Sequence, residues 1–219
     1  MKKITLLIAF LLSFLTIGYG QTVLINPSAE GGFANGATFA ANGWTVANSA
    51  NNPWVIGTVA SNATMTGNVA YVSSTSGTTH AFATGTAASN YFWRDVTVPA
   101  GETKINLNFN WYGQGESTYD LWQVFVAPIT VTPASTTTSL GTGVDTVPAG
   151  IAGATFVGYG NLSVVPVQYA NLTLPPSVAG TTFRLIFHWK NDGSGGAQPP
   201  AAIDNISLTS QVPGGDFIS

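Results

Sequence analysis

The chain contains no cysteine, so it has neither a disulfide framework nor a thiol nucleophile. Charge is almost as scarce, with six Lys and Arg against nine Asp and Glu in 219 residues. Setting aside Lys2 and Lys3 leaves Arg94, Lys104, Arg184 and Lys190 as the only cations. Four scattered cations cannot form a basic patch, which argues against nucleic acid and anionic lipid as partners. Catalytic signatures are missing too. There is no Gly-x-Ser-x-Gly elbow, phosphate loop or His-Glu-x-x-His helix. The segment Asp192-Gly193-Ser194-Gly195-Gly196 lacks the elbow spacing. The two histidines, His80 and His188, cannot be brought together by sequence alone. With so little charge, the surface is left to Asn, Thr, Ser, Gly and Gln. Such a surface keeps a β-protein soluble and also suits hydrogen bonding to sugars.

The amino terminus carries a segment that is not part of the fold. Lys2 and Lys3 precede an almost unbroken apolar run, residues 4–17, closed by Gly18-Tyr19-Gly20. The pattern is that of a secretory signal peptide over residues 1–20, with Gln21 as the first mature residue. The apolar run falls short of the ~20 residues a spanning helix needs, so a membrane anchor fits less well. No second apolar run of that length follows. The expected organisation is one β-domain over residues 21–210, long enough to bury a core unaided. Residues 211–219 are expected to be a flexible tail or the start of a linker to further modules. The expected location is outside the cell or on its surface.

What the remaining sequence does contain is strand signal. Over residues 104–111, Ile105, Leu107, Phe109 and Trp111 alternate with Asn106, Asn108 and Asn110. Strict period two means a half-buried antiparallel strand. Residues 182–190 repeat the pattern, with Phe183, Leu185, Phe187 and Trp189 inward and Arg184 and His188 outward, the latter solvated or packed at an edge. Weaker strands are expected over 22–26, 44–48, 54–59, 69–73, 91–98, 121–127, 161–173 and 201–209. The Thr-, Ser-, Gly- and Pro-rich stretch 129–153 reads as a long surface excursion, with room for a short edge strand. Many short strands between turn signals predict an all-β, two-sheet antiparallel β-sandwich with jelly-roll topology.

Asp204 is the most informative residue for chemistry. Alternation places it in one row with Ala202, Ile206 and Leu208. A buried carboxylate must be paired, hydrogen-bonded, protonated or bound to a cation, because leaving it charged and alone costs several kcal/mol. Calcium, a hard ion that takes six to eight oxygens, would suit it. Glu30, just after the first strand, is a second candidate ligand, with carbonyls around Asn26, Ser28 and Thr45. The plainer alternative places Asp204 at a strand end open to water.

The opening Leu24-Ile25-Asn26-Pro27-Ser28-Ala29-Glu30-Gly31-Gly32-Phe33, with Asn42-Gly43-Trp44, resembles the start of calcium-containing jelly-roll carbohydrate-binding modules. The closing Ala202-Ile203-Asp204-Asn205-Ile206 is similar to their last strand, and to that of MAM-type and cleaved-adhesin-type domains. Pro199-Pro200-Ala201 ahead of it resembles secreted proteins of the Bacteroidetes type. This resemblance implies a structural calcium between the first and last strands, with Glu30 and Asp204 as side-chain ligands. It also implies a noncatalytic module that binds polysaccharide or glycoprotein glycan. A structural or adhesive spacer with protein partners is the alternative.

Aromatic residues form a second constellation. Trp111 and Trp189 end inward rows and Trp44 is expected to pack, whereas Trp54 follows the turn Asn51-Asn52-Pro53 and is expected to start exposed. Tyr112 and Tyr119 flank a loop with Gln114, Glu116 and Asp120, a mixture able to stack on a sugar and bond its hydroxyls. The same residues also fit a hairpin loop with aromatic packing at its base. No catalytic residue is assigned. A glycoside hydrolase, the third reading, would need two facing carboxylates, and Glu116 and Asp120 are the best pair. Four Asn-x-Ser/Thr sequons, at Asn62, Asn161, Asn171 and Asn205, follow from the abundance of those residues.

Overall fold

A computed structural model describes residues 20–140, 143–161 and 163–214. The expected signal peptide, apart from Gly20, and the last five residues of the tail lie outside the described residues. Eleven strands are described: β1 (Thr22–Ile25), β2 (Thr45–Ala47), β3 (Trp54–Gly57), β4 (Val69–Val72), β5 (Ala88–Thr97), β6 (Lys104–Gln114), β7 (Leu121–Pro128), β8 (Thr155–Asn161), β9 (Ser163–Thr173), β10 (Thr182–Asn191) and β11 (Ala202–Gln211). One sheet runs β3-β4-β11-β6-β9, with β1 also pairing β11; the other runs β2-β5-β10-β7-β8. All pairs between them are antiparallel. From β4 onward, each strand crosses to the opposite sheet except between β7 and β8. That order is a jelly roll, as the alternation had indicated.

The main core lies between the sheets. Ile105, Leu107, Phe109 and Trp111 of β6 meet Phe183, Leu185, Phe187 and Trp189 of β10 there, as their spacing required. Phe92 and Phe187 stack with centroids 4.8 Å apart, and Phe109 and Trp111 each meet Trp122 edge-on.

One strand was missed and two expectations are corrected. The strand expected over 161–173 is found as Ser163–Thr173, but a further strand precedes it that was not expected. Thr155–Asn161 pairs with β7 in one sheet, and Ser163–Thr173 pairs with β6 in the other. The stretch 129–153 is not a free excursion. It folds back over the outer face of the five-stranded sheet, where Val131, Val147, Ile151 and Ala154 pack on Tyr91, Trp93, Phe125 and Ile186. Thr136 bridges to Ser89, and Val131 O accepts a 2.6 Å hydrogen bond from Arg184. Because this strap covers the sheet, His188 is completely buried and not solvated. Finally, β11 does not keep its alternation. Asn205 adopts φ 54°, and the register against β6 shifts between Asp204 and Ser207. This bulge returns Ile203, Ile206 and Leu208 to the core and leaves Asp204 on the outer face with Ala202.

Candidate functional site

The β6–β7 connection closes one end of the sandwich. Glu116 O accepts the N–H groups of Tyr119 and Asp120, forming a tight turn. That turn is zipped to the β10–β11 connection: Ala197 donates to Gly115 O at 3.2 Å, and Gln114 to Pro199 O at 2.5 Å. The result is a closed end, not an open dish. Asp120 is 1% exposed, and neither of its carboxylate oxygens has a hydrogen-bond partner among the described residues. Glu116 Oε2 is buried in the same condition. Burial raises the Asp120 carboxyl to about 7, the charges of Asp192 and Glu116 add to the effect, and the Asp192 N–H and the Lys190 ammonium oppose it in part. Lys190 is buried nearby, but its ammonium donates to Thr118 O (3.2 Å) and Gly143 O (3.0 Å). Burial lowers its pKa. Asp192 accepts from the Ser194 N–H and hydroxyl.

The aromatic candidates are dispersed. Trp54 is 1% exposed, its indole N–H donates to Asn90 O, and its ring meets Phe92 edge-on at 5.1 Å. A ring without a free face cannot stack on a sugar, so the expected exposure of Trp54 is corrected. Its position beside a turn hid the fact that β3 presents it to the core. Tyr112 lies on the outer face of the six-stranded sheet, where its hydroxyl donates to Ala60 O at 2.8 Å and meets His80 Nδ1 at 3.1 Å. Gln114 and Tyr119 are half-buried.

Glu30 and Asp204 belong to neighbouring elements at the open edge of β11. Below β4 and above β1 that edge is unpaired by a strand, and the short turn Glu30–Gly32 fills it. The fit is close: a Cβ on Gly31 would stand 1.8 Å from Ile206 O. Glu30 Oε1 accepts the Asn26 N–H at 3.0 Å and lies 4.0 Å from the Arg94 guanidinium. Asp204 is 1% exposed, with both carboxylate oxygens unpartnered. Burial raises its carboxyl to about 7, against a smaller opposing pull from the Asn205 N–H. The orphaned oxygens of Asp204 would suit a hard cation, while Glu30 is engaged by Asn26 and Arg94. Among the described residues, no three His, Cys, Asp or Glu side chains converge as a metal centre, so such an ion would need backbone carbonyls as well.

Sequence reasoning missed two features. One is the polar seam under the strap. His188 Nε2 meets Ser89 Oγ at 2.8 Å, its Nδ1 meets Gln123 Oε1 at 2.7 Å, and its ring stacks on Tyr91 at 4.5 Å. The other is an open polar face on the six-stranded sheet. Asn106, Asn108 and Asn110 of β6 stand opposite Thr173, Asn171 and Tyr169 of β9. Their neighbours in each strand, Leu107, Phe109, Ala170 and Leu172, face the core, so all six point outward. Tyr169 is 65% exposed at one end of this array. The alternation Tyr169, Asn171, Thr173 was visible in the sequence, and its strand was placed within two residues, but alternation alone does not show which of its faces stays uncovered.

No protein-family model matches the sequence, and no curated protein does. Solved structures share the architecture. A Stig cyclase, Fisc, from Fischerella sp. TAU is 11% identical, with a TM-score of 0.50, over 87% of this chain and 98% of that one. The carbohydrate-binding module TmCBM61, solved with β-1,4-galactotriose, is 13% identical, with a TM-score of 0.47, over 84% of this chain and 97% of that one. The K1 cleaved adhesin domain of Lys-gingipain from Porphyromonas gingivalis W83 is 11% identical, with a TM-score of 0.40, over 78% of this chain and 92% of that one. The chain spans 21% of the enzymatically active domain of bacteriophage CBA120 tailspike protein 4. At these identities the likeness concerns the fold alone. Among the described residues, no helix is long and apolar enough to cross a membrane.

Proposed function

We propose that this chain is an exported, noncatalytic module that binds neutral glycan on the open outer face of its six-stranded sheet. The observation that carries the reading is Tyr169, a largely exposed ring set in a flat array of amides and hydroxyls. An aromatic face covers the apolar side of a sugar ring, while Asn106, Asn110, Asn171 and Thr173 offer donors and acceptors for its hydroxyls. The array extends roughly 14 Å along the strands, given ~3.4 Å per residue. No charged side chain lies within it, which favours a neutral ligand over an acidic one.

Affinity electrophoresis of the mature chain in gels containing neutral polysaccharides tests this. Retardation by at least one polysaccharide is expected, with Tyr169→Ala weakening it about tenfold or more, since truncating an aromatic anchor typically costs 2 kcal/mol or above. Because Tyr169 is exposed, the variant should melt like the parent. Retardation by none of the polysaccharides would sink the reading and leave the spacer role. Sugar release abolished by Glu116→Gln would favour the hydrolase.

Glu30 and Asp204 are proposed to hold a structural calcium. Support comes from the two unpartnered oxygens of Asp204 and from the seating of the Glu30 turn on β11. The ion would supply charge compensation and tie the first connection to the last strand. Its role would be stability, with no part in ligand contact.

A further inference from the structure

The closed end of the sandwich poses a separate chemical problem. Asp120 is nine-tenths buried and more, both its oxygens lack a donor, and Glu116 Oε2 shares that condition. The nearby ammonium of Lys190 is directed at the carbonyls of Thr118 and Gly143. Asp192 is occupied by Ser194. Above the pair lies the glycine-rich start of the β10–β11 connection. A Cβ on Gly195 would stand 2.7 Å from Glu116 Oε2, and one on Gly196 would stand 2.2 Å from Asp120 Oδ2. Both glycines also have positive φ, 66° and 92°. The backbone therefore roofs the two carboxylates at a distance that a side chain would forbid.

A carboxylate removed from water needs a donor, a proton or a cation. The Asp192 N–H and the Lys190 charge offset the burial of Asp120 only in part, and the unpartnered atoms are hard carboxylate oxygens. Calcium accepts irregular sets of six to eight such oxygens, whereas magnesium demands octahedral geometry and retains several waters, which a roofed pair would not easily accommodate. We infer that Glu116 and Asp120, beneath the Gly195–Gly196 roof, form a calcium site that clamps the β6–β7 and β10–β11 connections together. Loop carbonyls and water would complete its shell. It is distinct from the proposed site at Asp204 and does not depend on it.

Calcium chloride titrated calorimetrically into the chelator-treated mature chain, with elemental analysis of the dialysed product, tests the inference on three proteins. Wild type is expected to bind two equivalents, and Asp204→Asn and Asp120→Asn one each. Glu116→Gln should weaken the equivalent that Asp204→Asn retains, tenfold or more. If Asp120→Asn binds as wild type does, or Asp204→Asn binds none, the clamp site is overturned. If only the Asp204 reading is wrong, wild type binds one equivalent that Asp120→Asn loses and Asp204→Asn keeps. Asparagine replaces a buried charge with an amide of the same shape, and circular dichroism melts in chelator confirm that each variant folds.

Discussion

Asp204 and His188 show opposite ways in which single residues meet burial. Asp204 is buried with little more than the Asn205 N–H to offset it, so its ionised form is costly unless a cation is present. Asp204→Asn should therefore leave stability unchanged or raised in chelator, yet lose the share of calcium's stabilisation that this site supplies. Thermal melts with and without calcium read both effects. An equal rise with calcium in parent and variant would remove the site. His188 is instead fully partnered as a neutral ring, and burial lowers its pKa to about 3. The unfolded chain binds that proton near pH 6.5. Between pH 6.5 and 4 the unfolded state thus holds more protons, and this contribution to stability falls as pH falls. Urea melts of wild type and His188→Gln should differ in slope by about one proton, roughly 1.4 kcal/mol per pH unit. His80, lowered to about 4 mainly by burial, acts in the same sense and is common to both proteins.

At the scale of elements, the strap over the five-stranded sheet decides most departures from the sequence reading. Tyr91, Trp93, Phe125 and Ile186 of the outward rows are apolar because Ile151, Val131 and Val147 cover them, with the charged Arg184, Asp95 and Lys190 nearer the ends of those rows. Ile151 is fully buried, so Ile151→Ala should cost about 2–5 kcal/mol. Retardation by polysaccharide should persist below the melting point, because the proposed glycan face belongs to the other sheet. The passage from β8 to β9 is equally tight. A Cβ on Gly160 would stand 2.2 Å from the Trp122 indole. Gly160→Ala should lower the urea midpoint strongly, while Gly101→Ala, where a Cβ meets nothing but φ is 86°, should cost about 1 kcal/mol.

For the whole molecule, the period-two rows of β6 and β10 were sufficient to read two sheets and an enclosed core. They were legible because Phe, Leu, Ile and Trp alternate with polar residues on strands whose inner face excludes water. The sites were less legible. Glu30 and Asp204 could be named from their setting, and the structure seats the Glu30 turn on the strand of Asp204. Trp54, Tyr112 and Tyr119 were grouped by composition, and the fold separates them. Tyr169 was passed over although its strand was placed, because nothing local tells which outward face remains uncovered.

The sequence by itself determined the class of fold, the inward rows and the scarcity of charge, since these depend on local periodicity and composition. Only the tertiary structure decided which outward faces remain open. A strap closes one sheet over His188, a bulge at Asn205 turns Asp204 out of the core row, and the β6–β9 pairing leaves Tyr169 uncovered. Periodicity states which residues share a face of a strand, but coverage of that face is set by segments distant in sequence.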